Sequence, residues 1–191
     1  MMKNSLLMSL LGLVCLQLTG CAAVLVGGAA TGAAVSVDRR SAGTVISDQE
    51  IELRAYNRLR ENFPKDTLSV SATSFNRQVL LTGQTPDAAT RTRVEAVVRP
   101  IPDVRTVFNE TVVSGATSLT SKGNDASLTA QIKARMLQDP RVPSIHVKVV
   151  TEAGVAYLMG LLSHAEADAA GEVASHTGGV TKVIKLFEYL D

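Results

Sequence analysis

Three histidines (His146, His164 and His176) and two aspartates (Asp48 and Asp125) are the residues of this 191-residue chain whose types first invite chemistry. A metal site needs several imidazole, thiolate or carboxylate groups converging on one point. His164 and His176 fall near opposite ends of one predicted helix, roughly 18 Å apart at about 1.5 Å rise per residue, and His146 falls in a predicted strand. These histidines are expected to be solvated or capping groups. Asp48 and Asp125 each stand where a helical pattern begins, and both are expected to be N-caps. Gly27-Gly28-Ala29-Ala30-Thr31-Gly32 superficially offers a phosphate cradle. It lacks a preceding strand pattern and an acidic residue at the proper distance. No nucleophile elbow, zinc spacing or carboxylate pair stands out. The chain reads as a non-enzyme with no cofactor and no metal.

The chemistry that does stand out is at Cys21. Lys3 is followed by an apolar run from Leu6 to Leu18, too short to span a bilayer comfortably, and then by Leu18-Thr19-Gly20-Cys21. Small residues before a cysteine let a signal peptidase bind the extended chain. The stretch resembles the bacterial lipobox, which implies cleavage before Cys21, a diacylglycerol on its sulfur and an acyl chain on the new amino group. Ala22, rather than Asp, after the cysteine implies export to the outer membrane. Residues 1–20 are then a signal peptide, and 21–46 a lipidated N-terminus and tether. The uncharged Gly/Ala/Val-rich stretch Ala22 to Val37 ends at Asp38-Arg39-Arg40-Ser41. Cys15 leaves with the signal, so no thiol remains for an intramolecular disulfide. Of 19 Lys+Arg and 18 Asp+Glu, only Lys3 is removed, leaving 18 against 18. Such a balance argues against bulk polyelectrolyte binding, nucleic acid included.

The elements behind these residues come in two copies. Asp48, Ile51, Leu59, Val70, Leu81 and Gly83 recur as Asp125, Leu128, Met136, Val147, Leu158 and Gly160, all at an offset of 77. After the glycine the offset drops by one, so Val104 matches Val180. In the first copy Ile51, Ala55 and Leu59 mark a helix from Asp48 to Pro64. Ser69 to Thr73 and Val79 to Thr82 make a hairpin about Asn76-Arg77, Ala88 to Val98 a second helix, and Val104 to Val112 a last strand. Ser114 to Asn124 reads as a linker. The second copy predicts helix Ala126 to Leu137, strands Ile145 to Val150 and Val155 to Met159, helix His164 to Thr177 and strand Val180 to Tyr189. Gly83 and Gly160 are expected to be structural glycines, needing a positive φ or a close backbone approach.

The order α-β-β-α-β, the strands ending in Gly83 and Gly160, and Arg40-Ser41-x-Gly43-Thr44 before the first copy resemble the dual BON-domain outer-membrane lipoproteins. That resemblance implies an α+β fold of two tandem small αββαβ sandwiches, each a three-stranded mixed sheet packed against two helices. The modules would be residues 47–113 and 125–191, with 114–124 between them. It further implies a protein without enzymatic activity, on the periplasmic face of the outer membrane, associated with phospholipid binding and envelope integrity. Division-site enrichment is one placement it allows.

Charge gives the second copy its own character. Residues 122–148 hold Lys122, Lys133, Arg135, Arg141 and Lys148 against Asp125 and Asp139, while 149–191 hold two basic and six acidic residues. On a helical wheel Leu128, Ile132 and Met136 form the core stripe. Leu137 falls on the opposite side beside Ala130 and Ala134, with Lys133 flanking. An apolar residue on a small uncharged strip next to basic groups suits insertion among anionic headgroups. The resemblance brings in the positions of Ser127 and Gln131, where relatives can carry an aromatic and a Lys. This departure counts against the lipid reading and implies weaker lipid binding or more reliance on Arg141 and Lys133. The expected partners are anionic phospholipids, phosphatidylglycerol and cardiolipin. The alternative is a protein–protein adaptor docking on outer-membrane assembly machinery or cell-wall-hydrolase regulators.

Overall fold

The computed structural model describes residues 38–64, 68–114 and 119–191, with backbone alone over 119–122. The signal peptide, Cys21 and most of the tether lie outside the described residues, as does part of the expected linker. No described helix is long and apolar enough to cross a membrane.

The first module opens with α1 (Ala42–Asn62), whose N-cap is Ser41, accepting from the Thr44 N–H at 3.1 Å. Strands β1 (Ser69–Phe75) and β2 (Gln78–Thr85) pair antiparallel, and α2 (Ala88–Val98) leads to β3 (Thr106–Asn109) and β4 (Val112–Val113). Both β3 and β4 run parallel to β2 along one edge. They are two pieces of the single strand expected over 104–112. Asn109 causes the break: its side-chain oxygen accepts from the Thr111 hydroxyl at 2.6 Å and its amide donates to the Arg91 carbonyl at 2.9 Å. Short polar side chains offer the backbone this kind of local alternative to a ladder.

The second module comprises α3 (Leu119–Gln138), β5 (Val147–Glu152), β6 (Val155–Leu162), α4 (His164–Ser175) and β7 (Lys182–Tyr189). A turn of 3-10 helix, Ser144–His146, replaces the expected start of β5. Helix α3 begins seven residues before Ala126, inside the Ser/Thr/Gly-rich stretch expected to be a linker. Once a core-anchored helix is nucleated, extending it over weak formers costs little per residue. The α+β class and the α-β-β-α-β order are otherwise as the sequence predicts.

Each sheet is buried on both faces. Val79 and Leu81 of β2 point into a core with Ile51, Ala55, Leu59, Val94 and Val98 of the helices. Ala156 and Leu158 of β6 do the same with Leu128, Ile132, Met136 and Ala170. The alternate residues, Phe75, Leu80, Tyr157 and Met159, meet in a third cluster where the two sheets face one another. The layers therefore run helices, sheet, sheet, helices, with α1 and α3 on opposite outer layers. Polar bonds rim this contact: Lys148 Nζ to Glu52 at 2.7 Å, Asn76 to Glu188 at 2.7 Å and Gln84 to Glu152 at 2.8 Å. Neighbouring arginines bind different modules. Arg39 reaches the Glu166 carboxylate at 2.7 Å and the Leu161 carbonyl at 2.9 Å, whereas Arg40 bonds Asp48 at 2.8 Å and lies over the Phe75 ring.

Asp48 and Asp125 are not N-caps. Asp48 sits inside α1, 3% exposed. One carboxylate oxygen accepts from the Ser74 hydroxyl and the Arg77 N–H at 2.7 Å, the other from the Asn76 N–H and Arg40 at 2.8 Å. Asp125 accepts from the Ala153 N–H at 2.8 Å and the Gly154 N–H at 3.0 Å. Both hairpin turns place their two central residues at positive φ, with Asn76 at 50°, Arg77 at 65°, Ala153 at 50° and Gly154 at 77°. Such turns match the twist of a hairpin but strain non-glycine residues. In each module the buried aspartate offsets that strain by binding both turn N–H groups.

Candidate lipid-contact face

The outward face of α3 carries the residues singled out by charge and periodicity. Leu128, Ile132 and Met136 are buried against β5, β6 and α4, while Ser127, Ala130, Gln131, Lys133, Ala134 and Leu137 are exposed. Leu137 is 75% exposed beside a Met136 that is 1% exposed. Full burial of a Leu or Met side chain is worth about 1.5–3 kcal/mol, so Met136 and its stripe fix the helix and leave Leu137 facing outward. Gln131 donates to the Ser127 hydroxyl at 3.3 Å, which ties together the two polar side chains of that face.

The basic residues divide into two groups. Lys133 and Arg135 are exposed and have no carboxylate partner among the described residues. Arg141 is held twice, by Asp139 at 2.8 Å and by Glu172 of α4 at 3.0 Å. These hydrogen bonds raise its pKa, and the Arg141 guanidinium holds Asp139 below the usual carboxylate range. Lys148 is drawn into the contact between modules, with Glu52 at 2.7 Å and the Ser74 carbonyl at 3.1 Å. The basic excess read from 122–148 is therefore smaller at the surface than in the sequence. Ile145, expected to begin a strand, is instead 69% exposed in the 3-10 turn after α3.

The two structural glycines act differently. Gly83 has φ 112°, and a Cβ there would lie 1.9 Å from the Ser69 carbonyl oxygen. Gly160 is not at positive φ, and its constraint is proximity alone, with a Cβ 2.7 Å from the His146 carbonyl oxygen. The histidines stay apart. His164 stacks on Tyr189 and bonds Asp191 at 2.9 Å, and His176 Nδ1 lies 2.9 Å from the Glu172 carbonyl. Among the described residues no group of His, Cys, Asp or Glu is arranged to hold a metal.

The profile of the BON domain matches residues 47–115 and again 124–191. This chain belongs to the BON-domain family. Over 175 residues it is 38% identical to the outer membrane lipoprotein DolP of Haemophilus influenzae, covering 91% of both chains. It is 36% identical over 155 residues to a 21 kDa hemolysin of Actinobacillus pleuropneumoniae, covering 81% of this chain and 80% of that one. Osmotically-inducible protein Y of Escherichia coli matches at 29% over 155 residues, with 80% and 77% covered. In both BON modules of the present chain the helix-borne aspartate and the hairpin turn it holds are the same device.

Proposed function

We propose that this protein is a non-enzymatic lipoprotein of the outer membrane, anchored through Cys21 at the periplasmic face, whose second BON module contacts anionic phospholipid through the outward face of α3. The observation that carries the reading is Leu137, 75% exposed on the outermost helix layer with Lys133 one turn before it. An apolar side chain beside a cation with no carboxylate partner among the described residues matches the headgroup–acyl boundary of an anionic leaflet. Ser127, Ala130, Gln131 and Ala134 make the rest of the strip small enough to approach the surface closely. Arg141, committed to Asp139 and Glu172, sets the shape of the helix end more than it supplies charge. The name of the Haemophilus relative and the lipobox pattern support the placement. Support of envelope integrity is the role this placement serves.

Sedimentation of the soluble 22–191 fragment with liposomes tests the reading. Binding is expected to rise with phosphatidylglycerol or cardiolipin content and fall with salt, since each surface Lys or Arg contributes about 1 kcal/mol, screened within a Debye length. Binding indifferent to lipid charge would instead favour an adaptor that docks on an envelope protein.

A further inference from the structure

We infer that the open edge of β1 in the first module is a docking site for an extended peptide, which adds to the sheet as a strand. The hairpin register settles which backbone groups are available. Phe75 and Gln78 close the turn, so Ser74, Ala72 and Val70 occupy the pairs whose N–H and C=O point away from β2. Two observations agree with that parity: the Ser74 N–H donates outward to Glu52 at 2.8 Å, and its carbonyl accepts outward from Lys148 at 3.1 Å. The outward N–H and C=O of Val70 and Ala72 have no partner among the described residues. Unpaired strand edges of this kind are templates for an incoming chain.

Beside that edge lies a groove of about 590 Å³ between α1 and β1, lined by Tyr56, Leu59, Phe63, Val70 and Ala72. Its volume lies in the range of sites that take a specific ligand. Two charged groups line it. Glu52 is already matched by Lys148 at 2.7 Å. Arg60 donates to the Tyr56 hydroxyl and has no carboxylate partner among the described residues. The occupant is thus a β-strand peptide with an apolar side chain for the groove and an acidic group for Arg60.

The second module serves as an internal control. Val147 and Val149, the equivalents of the half-buried Val70 and Ala72, are buried, and Val142 packs into that core. The inference does not depend on the lipid reading.

The test uses the full-length lipidated protein in nanodiscs, panned against random peptides displayed on phage, matching the seven residues of β1. Selected peptides, once synthesised, are expected to slow amide exchange at Val70 and Ala72 and to leave β5 unchanged. Ala72→Pro removes only an outward donor, which edge strands tolerate, and should weaken binding about tenfold at unchanged melting temperature. Should that variant fail to fold, Tyr56→Glu, at a residue 54% exposed, blocks the groove and should weaken binding likewise. A selection that yields no peptide, or peptides that bind both variants as they bind the parent, overturns the inference. Tight binding of lysophosphatidylglycerol, insensitive to Ala72→Pro, would assign the groove to an acyl chain and overturn it equally.

Discussion

The Asp48 carboxylate accepts the Arg77 backbone N–H at 2.7 Å across 29 residues of sequence. Together with the Asn76 N–H, the Ser74 hydroxyl and Arg40, it gathers four donors around a buried charge. Helix, hairpin turn and the segment that leads into the module thus depend on one side chain. Replacing it by Asn removes the charge from a buried ion pair, a change that costs about 3–5 kcal/mol. Asp125→Asn, with two backbone donors and no cation partner among the described residues, should cost about 1–3 kcal/mol. Urea unfolding of the two variants should rank them in that order. Equal losses would show that Arg40 adds nothing.

Glycine substitutions should give three different results. Gly83→Ala drives a Cβ into the Ser69 carbonyl at 1.9 Å with φ at 112°, and strain of this kind costs about 1–3 kcal/mol before the clash is counted. Gly160→Ala meets the His146 carbonyl at 2.7 Å without a φ penalty and should cost less. Gly123→Ala, in α3 with nothing within 4 Å of the added atom, should stabilise by roughly 0.5–1 kcal/mol. Melting temperatures of the three variants check both order and sign.

Acid should loosen the contact made by Arg39. Hydrogen bonds from the Arg39 guanidinium, helped by the Ser163 N–H of the capping box, hold Glu166 down to about 2. A depressed carboxylate contributes stability fully above its unfolded value, about 4.3, and loses it as pH falls from there toward about 2. Arg39→Ala should therefore reduce stability at neutral pH and flatten the stability profile between those limits. Parallel profiles for parent and variant through that window would show that the pair contributes nothing.

The sequence made some of this legible and concealed the rest, for identifiable reasons. The offset of 77 and the spacing of Leu128, Ile132 and Met136 place the modules and the outward turn of Leu137 because periodicity is a local property. Asp48 and Asp125 resemble caps because their partners, the turn N–H groups, lie 28 and 29 residues further along. Arg141 looks free until Glu172, 31 residues on, is brought beside it. The contact between sheets also leaves a signal in the sequence. Val79-Leu80-Leu81 and Ala156-Tyr157-Leu158-Met159 are continuous apolar runs rather than alternating ones, the pattern of strands covered on both faces.

Leu137→Glu tests the central claim most directly, with melting temperature and binding to cardiolipin-containing vesicles measured on the same sample. Leu137 is 75% exposed, so folding should stay within about 0.5 kcal/mol of the parent, as for most surface substitutions. Met136→Glu, one residue earlier in the core, should unfold the module, because an unpaired buried charge is expensive. The account predicts a folded Leu137→Glu protein whose affinity for anionic vesicles falls sharply, since it loses inserted apolar area and places a negative charge against the headgroups. A folded Leu137→Glu protein that binds those vesicles as the parent does would contradict it.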